Sequence, residues 1–185
     1  MSEQNLDHLR DWIGKAGGKV NLGNAGIGSA SHLCGLLFQS ELKAEMTTVP
    51  YKGTAQIVTD LIGGQMQSAY PSLTSTLPHV RNGKLRALAV TGPKRSPLGA
   101  GMPTVAESDL PGYEAYAWGA MVGPAGMSPD IVQKLNREIV AIINSKEIID
   151  RFHADGTLPT PSSPEEHTAY LRAEIKKWGD VVRMA

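Results

Sequence analysis

The sequence holds one cysteine, Cys34, in 185 residues. A single thiol excludes an intrachain disulfide and a cysteine-based zinc site. Its surroundings, Ser31–Leu37, read as helix, where a free cysteine is most often a small buried hydrophobe. There is no excess of charge either, since eighteen basic residues balance eighteen acidic ones. That excludes recognition of nucleic acid or an anionic membrane by bulk charge. Any anion must then be held locally, by oriented backbone groups and a few side chains. No run approaches the ~18 apolar residues of a membrane span. The start, Met1–Asp7, is polar and acidic and unlike a signal peptide, so the chain as written is expected to stay in the cytoplasm where it is made. What remains is a globular composition, 41% hydrophobic and 19% charged, sufficient for one compact domain or two small lobes.

Helix and strand patterns alternate, which predicts an α/β fold. Leu6, Leu9, Ile13 and Ala16 form a helical stripe that stops at Gly17-Gly18. Lys19–Leu22 reads as a strand, followed by the glycine-rich loop Gly23–Ser29 and a helix from about Ser29 with Ala30, Leu33 and Leu37 inward. The order then repeats. Thr47–Val49 is a strand, Pro50–Gly53 a loop, and Thr54–Ile62 a helix stopped by Gly63-Gly64. Ser68–Tyr70 is a strand, Pro71-Ser72 its loop, and Leu73–Val80 a helix ended at Asn82-Gly83. Leu85–Thr91 reads as a fourth strand, apolar enough to be buried on both faces. Three strand-loop-helix units in succession predict a mainly parallel sheet. Residues 92–112 are rich in glycine and proline and read as an extended crossing segment, and Tyr116–Val122 returns as a strand. Two capped helices follow. One starts at Ser128-Pro129, with Ile131, Leu135, Ile139 and Ile142 as its stripe. The other starts at the capping box Ser163–Glu166, with Leu171, Ile175, Trp178 and Val182 inward.

Where a glycine-rich loop joins a strand to a helix, backbone N–H groups converge and the helix dipole adds roughly half a positive charge. Such a place suits phosphate or carboxylate. Gly23, Gly26 and Gly28 match neither G-x-G-x-x-G nor the P-loop, so a tight turn without a ligand is the competing reading of this loop alone. Parallel sheets, however, place ligands beyond the carboxyl ends of their strands. Asn24–Ser29, Tyr51–Thr54 and Pro71-Ser72 are all expected there. They offer donors but no catalytic pair. Ser29 and His32 lie three apart without a G-x-S-x-G elbow, which makes His32 structural or ligand-facing rather than a base. The five histidines show no metal-binding spacing. Trp12, Trp118 and Trp178 read as packing residues.

Several segments resemble the Bug-type receptors of tripartite tricarboxylate transporters. They are Gly26–Leu33, Val49–Gly53, Asp60–Gln65, Gly83–Thr91, Pro103–Glu107, Pro111–Glu114, Pro124–Gly126 and Glu174–Gly179, in one collinear order from about Leu6 to the C-terminus. The resemblance implies a periplasmic solute-binding protein with a periplasmic-binding-protein-like fold: two α/β lobes that close on a small organic acid without cofactor or enzymatic activity. It assigns residues 6–115 to lobe two, with a mainly parallel sheet. Residues 116–185 become a crossover strand and the C-terminal helices of an incomplete lobe one, whose leading part, after a signal peptide, would precede Met1. The partners it implies are the organic acid and the membrane components of the transporter.

Matching positions expected to touch the ligand are Asn24, Ala25, Gly26, Gly28, Ser29, Tyr51, Gly53, Thr54 and Ser72. This sequence departs from the family in three places. Leu36 replaces a common glutamate, Pro71-Ser72 replaces an Asp-Asn-like pair, and Gln67 stands where an acidic or amide residue is usual. The last two are expected at the pocket rim, so ligand identity does not carry over from a relative. Arg86 lies in a strand-like run and Arg95 in the crossing segment, and neither is an obvious clamp. The alternatives are a repurposed lobe acting only as an association module, including an oligomer or exchanged dimer through the uncovered lobe-one helices, and an α/β hydrolase or nucleotide enzyme. The last lacks a nucleophile-base-orienter set.

Overall fold

Leu22 and Gly23 sit next to each other on the first strand and therefore face opposite sides of it. The computed structural model, which describes residues 6–16, 18–99, 101–108 and 110–184, puts a helix against each. A Cβ on Gly35 would lie 2.7 Å from Leu22 Cδ2, and a Cβ on Gly23 would lie 3.3 Å from Ile57 Cγ2. Glycine at these two positions is what lets helix and strand approach so closely. The helices carrying Gly35 and Ile57 therefore cover opposite faces of the sheet.

That sheet is β1 (Asn21–Asn24), β2 (Thr47–Pro50) and β3 (Ser68–Ala69), in the order β2-β1-β3. Both pairings are parallel, with Asn21 opposite Thr47, Asn24 opposite Pro50 and Gly23 opposite Ala69. Helix α1 (Leu6–Ala16) precedes it. Each strand is then followed by a helix: α2 (Ala30–Leu42), α3 (Thr54–Ile62) and α4 (Leu73–Arg81). The core of this unit gathers Ile13, Val20, Leu22, Cys34, Phe38, Ile57, Val58 and Met66, all buried. Phe38 meets Tyr70 and Tyr113 edge to face, with ring centres 5.6 and 6.2 Å away. The Tyr113 hydroxyl donates to the Cys34 carbonyl at 2.9 Å. The expected inward placement of Leu6 and Leu9, the stop at Gly17 and the start Met1–Asn5 lie outside the described residues.

The strand expected at Leu85–Thr91 does not join the sheet. Val90 makes one isolated parallel bridge, to Thr104, and residues 87–91 are half-buried rather than buried on both faces. The partner segment explains why this bridge stays isolated. Val90 N–H donates to the Pro103 carbonyl and Val105 N–H to the Val90 carbonyl, but Pro103 has no N–H to continue the ladder. Thr104 and Glu107 instead cap each other. Thr104 N–H donates to Glu107 Oε2 at 2.7 Å, and Glu107 N–H donates to Thr104 Oγ1 at 3.1 Å. Arg95 Nε also donates to this carboxylate, which lies below the ordinary carboxylate range because of the Thr104 backbone bond first.

A second compact unit spans Trp118–Arg183. The strand expected at Tyr116–Val122 is absent: the segment carries no ladder, and Gly119–Val122 are exposed. Helices α5 (Pro129–Ile143) and α7 (Pro164–Met184) start at the expected caps. Ser128 accepts the Ile131 amide, and Ser163 and Glu166 exchange hydrogen bonds. Between them α6 (Lys146–Ala154) is an element the sequence reading missed, although Ser145 at its start and Gly156 with φ 72° beyond its end are ordinary boundary signals. Neither α5 nor α6 contains a buried residue. On α7, Ile175 and Val182 were expected inward but are 65% and 59% exposed; the unit's elements are the helices α5, α6 and α7, with no sheet face for them to cover. The unit's one buried charge is Glu174. Its Oε2 accepts the indole N–H of Trp118 at 3.1 Å and of Trp178 at 2.8 Å, and Lys177 pairs with Oε1.

Candidate functional site

Because all three strands are parallel, the segments that follow them, Ala25–Ser29, Tyr51–Gly53 and Tyr70–Ser72, leave from one edge of the sheet. Strand order reverses here. The connection from β1 to β2 steps to one neighbour, and the connection from β2 to β3 passes over β1 to the other. The switch falls between β1 and β3, and in an open α/β sheet the ligand crevice lies outside the carboxyl ends at such a point. Asn24–Ser29 and Tyr70–Ser72 flank it, and the amino end of α3 stands beside them. The site residues expected from the sequence thus share one edge.

Their hydrogen-bonding capacity is not equally available. In the β1–α2 loop the amide of Ala25 donates to Ser31 Oγ at 2.9 Å, that of Gly26 to Asn24 Oδ1 at 3.0 Å, and that of Gly28 to His32 Nδ1 at 3.2 Å. Ser29 caps α2 by accepting the His32 amide, and its hydroxyl lies 3.1 Å from that of Ser31. Gly26 and Gly28 carry φ of 119° and 78°, which only glycine adopts without strain. The loop is therefore held in shape by its own side chains. Asn24 is buried, and its Nδ2 has no hydrogen-bond partner among the described residues. The contribution of Ser31 was not foreseen from the sequence, whereas His32, expected to be structural or ligand-facing, takes a structural role as the acceptor for Gly28.

The other two loops differ. No side-chain cap closes α3 at Gly53 or α4 at Ser72. Amides of the first helical turn have no intrahelical partner and are the groups that bind anions. Gly53 is extended, and a Cβ there would meet nothing within 4 Å. The Ser72 hydroxyl lies 2.9 Å from that of Thr74 and 2.7 Å from that of Ser75, so it belongs to a hydroxyl cluster at the start of α4. Tyr51 donates its hydroxyl to Asp60 Oδ2 at 2.6 Å. This bond, with lesser contributions from burial and the Asp60 charge, raises the phenol above its ordinary value. The tyrosine is thereby tied to the second half of α3, and Thr54 opens that helix.

One expectation is corrected. Gln67 does not stand at the rim of this crevice. It precedes β3, and its Oε1 accepts the Asn21 amide at the opposite, amino edge of the sheet. Among the described residues no three His, Cys, Asp or Glu side chains group as metal ligands.

The family described as "Tripartite tricarboxylate transporter family receptor" matches residues 2–185. The chain belongs to this receptor family. BugT of Bordetella pertussis (strain Tohama I) is 36% identical over 166 residues, which is 90% of this chain and 51% of that relative. An R. palustris protein solved with adipate has 31% identity and a TM-score of 0.86, covering 99% of this chain and 61% of that one. MatC from Rhodopseudomonas palustris, solved with bound malate, has 29% identity and a TM-score of 0.79, covering 97% and 62%. The chain spans about half the length of the curated relative it matches here. The family is one of solute receptors, not enzymes, and the α/β sheet with its parallel strands is the family's fold.

Proposed function

We propose that this chain forms one wall of a periplasmic solute-binding cleft for small organic carboxylates and serves a tripartite tricarboxylate-type transporter. The observation that carries the reading is the convergence of three strand-to-helix loops at the switch point, two of them ahead of helices without a side-chain cap. Those amino ends supply oriented N–H donors and partial positive charge, and the preformed β1–α2 loop supplies shape. Within this reading Asn24, Ala25, Gly26, Gly28 and Ser29 build one side of the crevice and Ser72 the other. Gly53 and Thr54 provide amides, and Tyr51 provides a ring held by Asp60.

One open wall leaves much of the ligand in water. Each hydrogen bond to a carboxylate contributes about 1.5–3 kcal/mol at best, and a few of them must offset the cost of association. Affinity for a dicarboxylate such as adipate is then expected near the millimolar level, about 4 kcal/mol. Gly53→Leu fills open space and leaves the fold intact, but it covers the first turn of α3. It should weaken adipate binding about tenfold or more, the loss of one charge-assisted bond. Calorimetry paired with thermal melts checks this. Unchanged affinity in a folded Gly53→Leu protein would remove α3 from the site.

A second reading, association, is favoured by a separate observation in Trp118–Arg183. Ile131, Leu135 and Ile142 repeat along α5, and each is 47% exposed or more. Fully burying such side chains is worth about 1.5–3 kcal/mol each. Sedimentation velocity should show concentration-dependent self-association, abolished in Ile131→Lys/Leu135→Glu/Ile142→Lys. A compact monomer at all concentrations would rule this reading out.

A further inference from the structure

Ile27 stands between Gly26 and Gly28 in the β1–α2 loop and is 82% exposed. A lone exposed isoleucine on a protein surface carries no message. Here the position and the neighbours supply one. The loop lies at the switch point, and its geometry is fixed by Asn24, Ser31 and His32. Most of the polar side chains around the crevice are already engaged with each other: Ser29 with Ser31, Ser72 with Thr74 and Ser75, Tyr51 with Asp60. Apart from Asn24 Nδ2, which is buried beneath the loop, what the crevice has left to offer is uncapped helix amides for a carboxylate and one large apolar side chain.

We infer that Ile27 is a specificity residue selecting aliphatic carboxylates with an unsubstituted methylene chain over hydroxylated acids. The inference rests on the carboxylate reading and specifies its substrate class. A carboxylate takes the amides, and the adjoining methylenes lie against Ile27. A ligand hydroxyl in that position would lose water without gaining a partner, which a site discriminates against.

The test is a titration of the isotope-labelled chain with succinate, adipate, suberate and malate, followed by loop amide shifts and the Ile27 methyl signals. A fully buried methylene is worth about fourfold in affinity, so one lying against a single open side chain should give about twofold. From succinate to suberate the dissociation constant should fall at least several-fold, and malate should bind more weakly than succinate. Ile27→Ser, with Ile27→Ala as the milder variant, should flatten the series, weakening suberate far more than succinate, whose two methylenes lose only about fourfold. Three results would overturn the inference while the carboxylate reading stands: malate binding as well as adipate, an equally steep series in both variants, or loop shifts that bypass the Ile27 methyls. If none of the four acids shifts any of the three loops, both readings fail together.

Discussion

Phe38→Ala is expected to destabilise the first unit by about 3–5 kcal/mol, the usual range for emptying a buried aromatic position. The residue is 1% exposed and fills the space between Tyr70 and Tyr113. Its loss leaves a cavity and removes two edge-to-face contacts, each worth about 0.5–1.5 kcal/mol beyond burial. The neighbouring rings cannot simply swing into the gap, because the Tyr113 hydroxyl is anchored on the Cys34 carbonyl of α2. Burial pushes the phenols of Tyr70 and Tyr113 above their ordinary value, so both remain neutral across the working pH range. Urea unfolding followed by circular dichroism measures the loss, with Ile27→Ala as a surface control expected within about 0.5 kcal/mol of the parent. A Phe38→Ala protein as stable as the parent would mean that α2 does not pack on the sheet as described.

The second large effect belongs to Glu174. Alanine there strands two indole N–H groups, and each unpaired buried donor costs about 1–3 kcal/mol. Both indoles are partly open to water, so a total of about 2–4 kcal/mol is expected for the unit that contains α7. The same carboxylate makes stability depend on pH. Burial alone would raise it, but the hydrogen bonds from Lys177, Trp178 and Trp118 win, and the folded value lies below the ordinary one. An acid held more strongly in its charged form when folded stabilises the protein above its unfolded value, about 4.3. That contribution is lost as pH falls through the lowered folded value. The parent should therefore lose stability below about pH 4.3 more steeply than Glu174→Gln. The amide oxygen of that variant keeps acceptors for the indoles but does not titrate. Tryptophan fluorescence during unfolding at a series of pH values reads this directly, and identical acid limbs in parent and Glu174→Gln would contradict it.

The elements legible in the sequence are those with local causes. Proline after Ser128, the capping box at Ser163 and the glycine stops announce helix ends through groups only a few residues apart. Parallel order was legible from the repeated strand-loop-helix pattern. Leu85–Thr91 misled because its apolar character speaks of burial and not of a partner. Its one bridge is to Thr104, beside Pro103, which cannot extend a ladder. Ile175 and Val182 misled in the same way, since a helical stripe identifies a face but not what covers it.

The site divides along the same line. Its three loops were legible as places, because a parallel sheet sends all its carboxyl ends one way. The commitments of their donors were not. Gly28 is satisfied by His32 four residues on, Ala25 by Ser31 six residues on, and Tyr51 by Asp60 nine residues on. Such pairings depend on rotamers that composition does not set. Gln67 is a different error, because a residue just before a parallel strand belongs at the amino edge, and strand direction alone assigns it there.

The central claim, a carboxylate crevice at the switch between β1 and β3, is tested most directly by mapping amide shifts in the labelled chain as adipate is added. Shifts should be confined to Asn24–Ser29, Gly53–Ala55 and Tyr70–Thr74, and should saturate in the millimolar range. Shifts centred elsewhere, such as the shallow cleft lined by Lys15 and Lys43 or the open face of α5, would contradict it, as would an unchanged spectrum at saturating acid.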